Sequence, residues 1–391
     1  MKKIALYYGP RVGFVRHFPC DVPIKTISEL AIYSDKQMRE HVFKIQGRRS
    51  DQPEAENNRL LQIPCLVGFS DQYAALSESA IQGFLSFIAQ YDIEALYLQN
   101  PPLQLAVQLE RLSVSMEILR YVYKSIDYDA LREINATYPN VVFGQKDVLR
   151  RLLVSLYPLC RTDYDKPAVF LFYGPTGVGK SETANFLSSV MGQKLFRKQF
   201  SMFNANEFAS YLFGGRHSQS CFAKDLMERE SNIILLDEFD KANPIFHSAF
   251  YQFFDEGVYE DKNYRAEIKK AVIVCTSNYR SLQEVKEALG APLLARFDAV
   301  IEFDTLSEET ITKIMDKEYK ACLETLEIEE LHIVQTETTR AKLIALVDKI
   351  DNSRQIKRIV RNTISEMLLD AKLQIGFSGG NVKMTQTLIS S

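Results

Sequence analysis

The sequence predicts an α/β fold in which a parallel sheet carries helices on both faces. Three apolar runs of strand length support this prediction, and they begin at Val169, Ile233 and Val272. The first run leads into a glycine-rich loop, the second ends at two acidic residues, and the third ends at an asparagine. A small, mostly helical domain is predicted after this sheet and an α+β domain before it.

The glycine-rich loop lies in the segment Val169–Glu182, whose sequence is VFLFYGPTGVGKSE. It has the pattern G-x-x-x-x-G-K-[ST] between a strand and a helix, the arrangement that holds nucleotide phosphates. Glycines let successive backbone N–H groups point into one concavity, and the following helix offers its positive end to the anion. The pattern predicts a nucleoside triphosphate site, with Lys180 at the outer phosphates and the Ser181 hydroxyl on Mg²⁺. The predicted contact residues are Gly174, Pro175, Thr176, Gly177, Val178, Gly179, Lys180, Ser181 and Glu182.

The acidic pair is Asp237 and Glu238, at the end of the segment NIILLDEFDK. At such a strand end, the first carboxylate can hold the Mg²⁺ shell through water. The second carboxylate can orient and deprotonate an attacking water molecule. A glutamate at this position favours hydrolysis of the nucleotide over its simple storage.

The chain from Val141 to about Leu373 resembles the AAA+ ATPases of the Clp chaperone type. Six segments match motifs of that family in the family's order, and the resemblance covers about 60% of the chain. It does not reach residues 1–135. The matching segments are VFGQ (Val142–Gln145), LLDEFDKANP (Leu235–Pro244), FYQFFDEGVYED (Phe250–Asp261), VIVCTSN (Val272–Asn278), LLARFD (Leu293–Asp298) and NSRQIKR (Asn352–Arg358).

The resemblance implies a P-loop AAA+ sheet with a small helical lid, and ATP with Mg²⁺ as ligands. It implies that Val142 and Phe143 lie beside the adenine and that Arg354 contacts the γ-phosphate. It further implies that Asn278 polarises the attacking water and that Arg296 is an arginine finger acting in trans. Such a finger completes a neighbour's site, so it favours head-to-tail contacts that close into a ring. The family implies a homo-oligomeric ring of six subunits.

The residues with implied roles also have simpler interpretations. Asn278 fits a cap on the turn after its strand. Arg296 fits a surface arginine beside Asp298. The basic residues Arg354, Lys357, Arg358 and Arg361 fall at helical spacing, so two or three of them belong to a solvated face.

One segment departs from the family's pattern. Members that thread polypeptides carry an aromatic–hydrophobic–glycine pore loop, and here the corresponding stretch Phe208–Leu226 is shorter. Tyr211 and Phe213 fit a contracted pore loop in which either aromatic grips the substrate. They fit equally well the end of the preceding helix, with the pore loop gone.

Composition limits the function classes. The chain has 391 residues and a net charge of −3, so no overall field draws it to nucleic acid or an anionic membrane. Its apolar stretches are too short to span a bilayer. Six scattered cysteines without a C-x-x-C pair predict reduced thiols, a cytoplasmic location and no metal cluster. His217 is predicted to be a lone surface histidine.

Three domains are predicted: residues 1–135 for recognition, 136–306 for nucleotide binding, and 307–391 as the lid. In the first, periodicity predicts a strand near Lys2–Tyr8, helices over 78–90 and 103–126, and an exposed loop over 48–58. In the last, helices are predicted over 308–325, 338–350 and 353–373. Short strands are predicted there over 331–334 and 381–387.

Three functions are weighed. The first is an ATP-hydrolysing ring protein that remodels a protein partner recognised by its N-terminal domain. The second is a nucleotide-gated assembly switch that activates a partner without threading, which the shortened loop favours. The third is a nucleic-acid remodeller, and it lacks the basic, aromatic-bearing groove that such a function requires.

Overall fold

The structure is a computed structural model that describes residues 1–19, 21–47, 60–112, 115–202, 205–335, 337–350 and 352–373. The loop predicted over 48–58 and the strand predicted over 381–387 lie outside these ranges. Two five-stranded parallel sheets, a two-stranded antiparallel sheet and a helical unit account for the regular structure in these ranges. Within the described ranges, no helix combines the length and apolar character needed to cross a bilayer.

The first sheet has the strand order β2-β3-β4-β1-β5, and every pairing in it is parallel. This segment is therefore α/β, whereas the sequence predicts α+β. Its core includes Ile4, Leu66, Leu96 and Leu105, all buried. The elements are β1 (Lys3–Tyr8), α1 (Arg11–Phe14), β2 (Ile24–Thr26), α2 (Ile27–Gly47), β3 (Leu61–Gly68), α3 (Glu78–Gln82), α4 (Phe84–Ile88), β4 (Tyr91–Gln99), α5 (Leu103–Glu110) and β5 (Met116–Arg120).

The helix predicted over 103–126 is wrong in its second half. It ends at Glu110, and β5 follows as an edge strand paired with β1. Ile4 lies opposite Met116 and Leu6 opposite Ile118. The apolar residues of this segment recur every three or four positions, which is typical of a helix. Pairing with the free edge of β1 nevertheless makes the segment a strand.

The second sheet has the order β12-β6-β11-β8-β7, again with every pairing parallel, which confirms the predicted α/β fold. Strands β6, β8 and β11 are buried along their whole length. Their carboxyl ends meet at one edge, as expected for parallel strands. The elements are α6 (Tyr128–Val141), α7 (Lys146–Leu156), β6 (Ala168–Tyr173), α8 (Lys180–Val190), β7 (Phe196–Gln199), α9 (Ala205–Phe213), α10 (Phe222–Glu228), β8 (Ile233–Asp237), α11 (Tyr251–Glu256), β9 (Val258–Glu260), β10 (Arg265–Glu267), β11 (Val272–Thr276), α12 (Leu282–Leu294) and β12 (Ala299–Glu302).

Helix α6 belongs to the core of this second sheet. Ile134 and Tyr138 are buried in it, and the Tyr138 hydroxyl lies 3.0 Å from the Thr183 hydroxyl on α8. The predicted domain boundary at residues 135 and 136 falls inside this helix.

Four helices complete the described chain and share a core that includes Ile311, Met315, Val334, Ile356 and Val360. The strand predicted over 331–334 is wrong, because these residues are helical. Glu327 and Glu330 form a capping box at the start of that helix, which stabilises it over the short strand. The helices are α13 (Glu308–Leu323), α14 (Ile328–Val334), α15 (Glu337–Ile344) and α16 (Ser353–Leu373).

A polar junction joins the carboxyl edge of the first sheet to the body of the second. The Gln99 amide donates to both carboxylate oxygens of Glu228, at 3.0 and 3.1 Å, and the Asn100 amide donates at 2.9 Å. Burial raises the pKa of Glu228. Next along the chain, the Arg229 guanidinium lies 3.8 Å from the ring centre of Tyr123.

His217 also lies in this junction, so its prediction as a surface histidine is wrong. It is 4% exposed, with Nδ1 3.2 Å from a carboxylate oxygen of Glu78 and Nε2 3.4 Å from the carbonyl oxygen of Leu76. The short stretch between α9 and α10 therefore packs against the first sheet's helices. Sequence spacing alone carries no sign of this contact, because its partners lie more than a hundred residues away.

Candidate nucleotide-binding site

The glycine-rich loop packs closely against neighbouring segments. Gly174 has φ of 131°, and a Cβ there would lie 2.3 Å from the backbone oxygen of Phe303. Gly177 has φ of 74°, and a Cβ there would lie 2.7 Å from the Cβ of Asn352. Both positions therefore require glycine, for backbone conformation and for space.

Lys180 is the first residue of α8 and is 7% exposed. Its ammonium donates to the carbonyl oxygen of Gly174 at 2.6 Å, to that of Pro175, and to the Asn278 side-chain oxygen at 3.3 Å. Burial lowers the pKa of Lys180 to about 8, although Asp240 and Asp237 favour its charged form. Lys180 and Asn278, which the sequence places after two different strands, are thus in contact.

Asp237 ends β8 and is 5% exposed. The Ser181 hydroxyl donates to its Oδ1 at 3.2 Å, and the Thr276 hydroxyl donates to the same oxygen. The Arg197 guanidinium donates to its Oδ2. The two residues predicted to ligate the metal therefore lie side by side.

Glu238 has a left-handed backbone, with φ of 55°. Its N–H donates to the Thr276 hydroxyl at 3.0 Å, which fixes the turn after the strand. Its carboxylate accepts a hydrogen bond from the Gln199 amide at 3.0 Å. Hydrogen bonds from Ser201 and Gln199 lower the pKa of Glu238, so the carboxylate is ionised at neutral pH.

Helix α16 reaches the site from the helical unit. The Ser353 N–H donates to the carbonyl oxygen of Gly177 at 3.0 Å. Arg354 lines the same pocket as Lys180 and Asp237, and its charge contributes to the lowered pKa of Lys180. The lining of this pocket comprises Thr176, Gly177, Gly179, Lys180, Ser181, Glu182, Asn185, Arg197, Asp237, Glu238, Thr276, Asn278, Ser353, Arg354 and Lys357.

A second pocket adjoins the first and shares five residues with it: Gly177, Gly179, Glu182, Ser353 and Lys357. Val142 and Phe143 line it, together with apolar side chains from the helical unit. The lining is Val141, Val142, Phe143, Gly177, Val178, Gly179, Glu182, Leu306, Ile314, Lys317, Glu318, Ser353 and Lys357. One continuous cleft thus runs from a polar end to a largely apolar end.

Arg296 lies outside the described lining of both pockets. Its Nε donates to the Asp255 carboxylate at 2.9 Å, and its guanidinium lies 4.0 Å from the ring centre of Tyr251. Asp298, the neighbour considered from the sequence, instead accepts a hydrogen bond from the Val169 N–H at 2.7 Å. Arg296 is therefore held by these contacts away from the chain's own phosphate loop.

Tyr211 and Phe213 form the last turn of α9. Tyr211 is 5% exposed, and its hydroxyl donates to the Asp225 carboxylate at 2.6 Å. Phe213 is 48% exposed, with its ring centre 6.0 Å from that of Phe246. Gly214 follows with φ of 79°. Of the two interpretations from the sequence, this geometry favours the helix end, and it leaves Tyr211 inside the core.

Several pocket residues were not predicted from the sequence. Arg197 belongs to the strand FRKQ, where two adjacent charged residues are typical of a solvated edge, so no pattern marks it. Thr276 directly precedes Ser277 and Asn278, and a polar residue ending a buried strand was a usable sign. Lys357 was considered only as part of a basic helical face.

The oxygen ligands at the polar end fit Mg²⁺, which is bound by few carboxylates and keeps several waters. Ser181 and Asp237 supply a hydroxyl and a carboxylate 3.2 Å apart. In the described part of the chain, no group of three or more His, Cys, Asp or Glu side chains is arranged to hold a metal ion. One hydroxyl and one carboxylate leave the other positions around a Mg²⁺ ion to phosphate oxygens and water.

Comparison with known proteins finds a match to an AAA domain and similarity to Clp proteins. Residues 165–332 match the protein-family model described as AAA domain (Cdc48 subfamily). The ClpA homolog protein of Fuscovulum blasticum is 29% identical over 293 residues, covering 66% of this chain and 36% of that protein. The ATP-dependent Clp protease ATP-binding subunit ClpE of Lactococcus lactis subsp. lactis is 27% identical over 264 residues, covering 59% of this chain and 35% of that protein.

The chain spans about a third of the length of these curated relatives. Among solved structures, a closed-state cryo-EM reconstruction of Hsp104:ATPyS and FITC casein aligns with a TM-score of 0.52. That alignment covers 96% of this chain and 88% of the other, at 13% identity. At this identity the likeness concerns the fold alone.

Proposed function

We propose that the chain is a Clp-type AAA+ ATPase that binds ATP with Mg²⁺ and hydrolyses ATP to ADP and phosphate, since residues 165–332 match the AAA domain model and its relatives include Clp proteins. One observation carries this proposal: Lys180, Asp237, Glu238 and Asn278 converge at the carboxyl edge of one parallel sheet. A nucleotide store needs the lysine and the first acid. It does not need an ionised glutamate beside them.

In the proposed complex, the adenine lies in the apolar pocket beside Val142 and Phe143, and the phosphates lie over the glycine-rich loop. The Lys180 ammonium contacts the outer phosphates in exchange for its two backbone carbonyl partners. Ser181 and Asp237 hold Mg²⁺, which when bound neutralises charge on the phosphate oxygens. Arg354 contacts the γ-phosphate from the lid side.

For hydrolysis, Glu238 takes a proton from the attacking water while the water oxygen bonds to the γ-phosphorus. The bond between that phosphorus and the bridging oxygen breaks, and ADP carries the electron pair away. Asn278 orients the same water. The lowered pKa of Glu238 supports the base role, because the carboxylate must be ionised to accept the proton.

We propose that Arg296 acts in the site of a neighbouring subunit, in a homo-oligomeric ring of six. The support is its position: it lies outside the described lining of its own cleft, braced by Asp255 and Tyr251. A guanidinium braced in this way keeps its geometry while its own subunit turns over nucleotide. A cytoplasmic location completes the proposal, supported by five free cysteines in the described chain.

The proposed work of the ring is to remodel a protein partner, with the first sheet and its helices as the recognition unit. The relatives named above are Clp proteins, which supports this class of target. The second candidate is an ATP-gated assembly switch without threading. It is favoured by the burial of Tyr211 and by the contact of His217 with the first sheet's helices.

Lys180→Ala is expected to lose most ATP binding and, with it, phosphate release. The Lys180 ammonium lies in the lining of the polar pocket. Among the lysines described there, it alone contacts the carbonyl oxygens of the glycine-rich loop. Calorimetric titration with ATP and Mg²⁺ measures the affinity, and phosphate release measures turnover. Lys194→Ala, an exposed lysine of the same unit, is the matched control. Wild-type affinity in Lys180→Ala would contradict the proposed site.

The affinity for ATP is expected to fall as the pH rises above about 8, because burial lowers the pKa of Lys180 to about that value. Phosphates stabilise the charged ammonium, so above pH 8 binding must take up a proton. Below pH 8 the ammonium is already charged and the affinity levels off. Titrations in two buffers of different ionisation enthalpy measure the proton uptake. An affinity that stays constant from pH 7 to pH 9 would contradict this assignment.

Tyr211→Ala is expected to lower the free energy of unfolding by about 3–5 kcal/mol, because it removes a buried aromatic side chain. Phe213→Ala should change it by less than about 1 kcal/mol, because half of that side chain is exposed. Denaturant unfolding followed by circular dichroism measures both. Equal stability of the two variants would return Tyr211 to the list of substrate-gripping candidates.

A further inference from the structure

A cavity separate from the nucleotide cleft lies between the two parallel sheets, away from the phosphate loop. Its volume is about 330 Å³, within the range of small-molecule sites. It opens at the carboxyl ends of β1 and β5, the part of an open parallel sheet where ligands usually bind. Tyr8 ends β1, Tyr121 follows β5, and both line the cavity.

The two neighbouring strand ends approach closely here because of one glycine. Gly9 has φ of 151°, and a Cβ at this position would lie 2.4 Å from the Cβ of Tyr121. The opposite wall comes from the second sheet's unit, through Met227, Arg229 and Lys270. The cavity is thus built by both units together.

The cavity is basic. Five basic side chains line it against two acidic ones, and the acids already have partners. Glu267 lies 3.3 Å from Arg120, and Asp165 lies 3.0 Å from Lys269. An excess of positive charge therefore remains on the walls.

Arg229 is the most deeply buried of these five basic side chains. It is 4% exposed, and burial lowers its pKa. It donates to the carbonyl oxygen of Leu226 at 2.7 Å and to the Asn232 side-chain oxygen at 3.4 Å, while its buried Nε has no hydrogen-bond partner. In the described ranges, no carboxylate forms an ion pair with it. A buried cation without a counter-ion is costly, and a bound anion removes that cost.

We propose that this cavity binds a small phosphorylated ligand whose phosphate pairs with Arg229. The size of the cavity and its basic lining suit a sugar phosphate or a nucleotide, and the chemistry shared by both is the phosphomonoester. Arg229 lies just before β8, the strand that carries Asp237. The ligand would therefore sit at the start of the strand whose other end forms the ATP site, while the two sites remain separate.

The test is a calorimetric titration of the full chain after the phosphate loop has been saturated with ADP and Mg²⁺. Ribose 5-phosphate and AMP are the two probes, and inorganic phosphate is the minimal one. We expect a second, saturable event, with AMP tighter than ribose 5-phosphate if the base contributes. Arg229→Met should weaken it by about tenfold or more, since it removes a charge-assisted contact. ADP affinity should not change.

Lys269→Ala provides a variant that leaves the core intact, because two thirds of that side chain is exposed. It should weaken the same event by a few-fold, and the matched control Lys262→Ala, exposed and outside the cavity's described lining, should not. The absence of a second event with every probe would overturn the proposal. So would an event that Arg229→Met and Lys269→Ala both leave unchanged, or binding confined to single-stranded oligonucleotides.

Discussion

Glu238→Gln is expected to bind ATP as tightly as the wild type and to hydrolyse it about 10²–10⁴-fold more slowly. The amide keeps the shape of the side chain and its contact with Gln199, but it cannot accept a proton from water. The backbone hydrogen bond to Thr276, which sets the turn, does not depend on the side chain. Phosphate release and ATP titration on the same preparation separate the two effects.

The matched control for this variant is Glu287→Gln, an exposed glutamate on α12 of the same unit. It should turn over ATP at the wild-type rate. A Glu238→Gln protein that does the same would show that another group activates the water. Loss of ATP binding in Glu238→Gln would instead assign the carboxylate to the phosphates or the metal.

Arg296→Ala is expected to lose about 10³-fold or more in ATP turnover while keeping its own cleft intact. The finger belongs, in the proposed ring, to the neighbour's site. Mixing two inactive variants therefore tests action in trans more directly than the single variant does. A subunit with Lys180→Ala has a dead cleft and an intact finger, and one with Arg296→Ala has the reverse.

Mixtures of these two inactive proteins should regain activity, because some junctions pair an intact cleft with an intact finger. Phosphate release measured against the mixing ratio gives the recovery. Lys286→Ala, an exposed lysine on α12, which ends just before Arg296, controls for general disturbance of that surface. No recovery at any ratio, with oligomers of mixed composition present, would contradict action in trans.

The polar end of the nucleotide cleft was predictable because its residues lie at strand ends within short motifs. Asp237 ends a buried strand, Lys180 and Asn278 follow two others, and parallel pairing then brings the three together. Arg197 could not be predicted in the same way, since a charged residue on an edge strand normally faces solvent. Its contact with Asp237 depends on the register between β7 and β8.

The first sheet was harder to predict because its decisive contacts are distant in sequence. Strand β5 forms by pairing with β1, more than a hundred residues earlier, although its apolar spacing is typical of a helix. Arg229 is similar: in the sequence it stands in the charged run ERE, which predicts a solvated turn. Only the packing of Tyr123 and the first sheet against it makes it a buried cation.

The junction made by Glu228 and Arg229 limits which N-terminal units can replace the present one by recombination during evolution. An N-terminal unit can be exchanged for another only where the seam tolerates a new neighbour. Here a replacement unit without the amides of Gln99 and Asn100 would leave the Glu228 carboxylate covered and unpaired. One without Tyr123 would remove the ring that covers the Arg229 guanidinium. These three residues and their two partners are therefore expected to be inherited together, as a single recombination block.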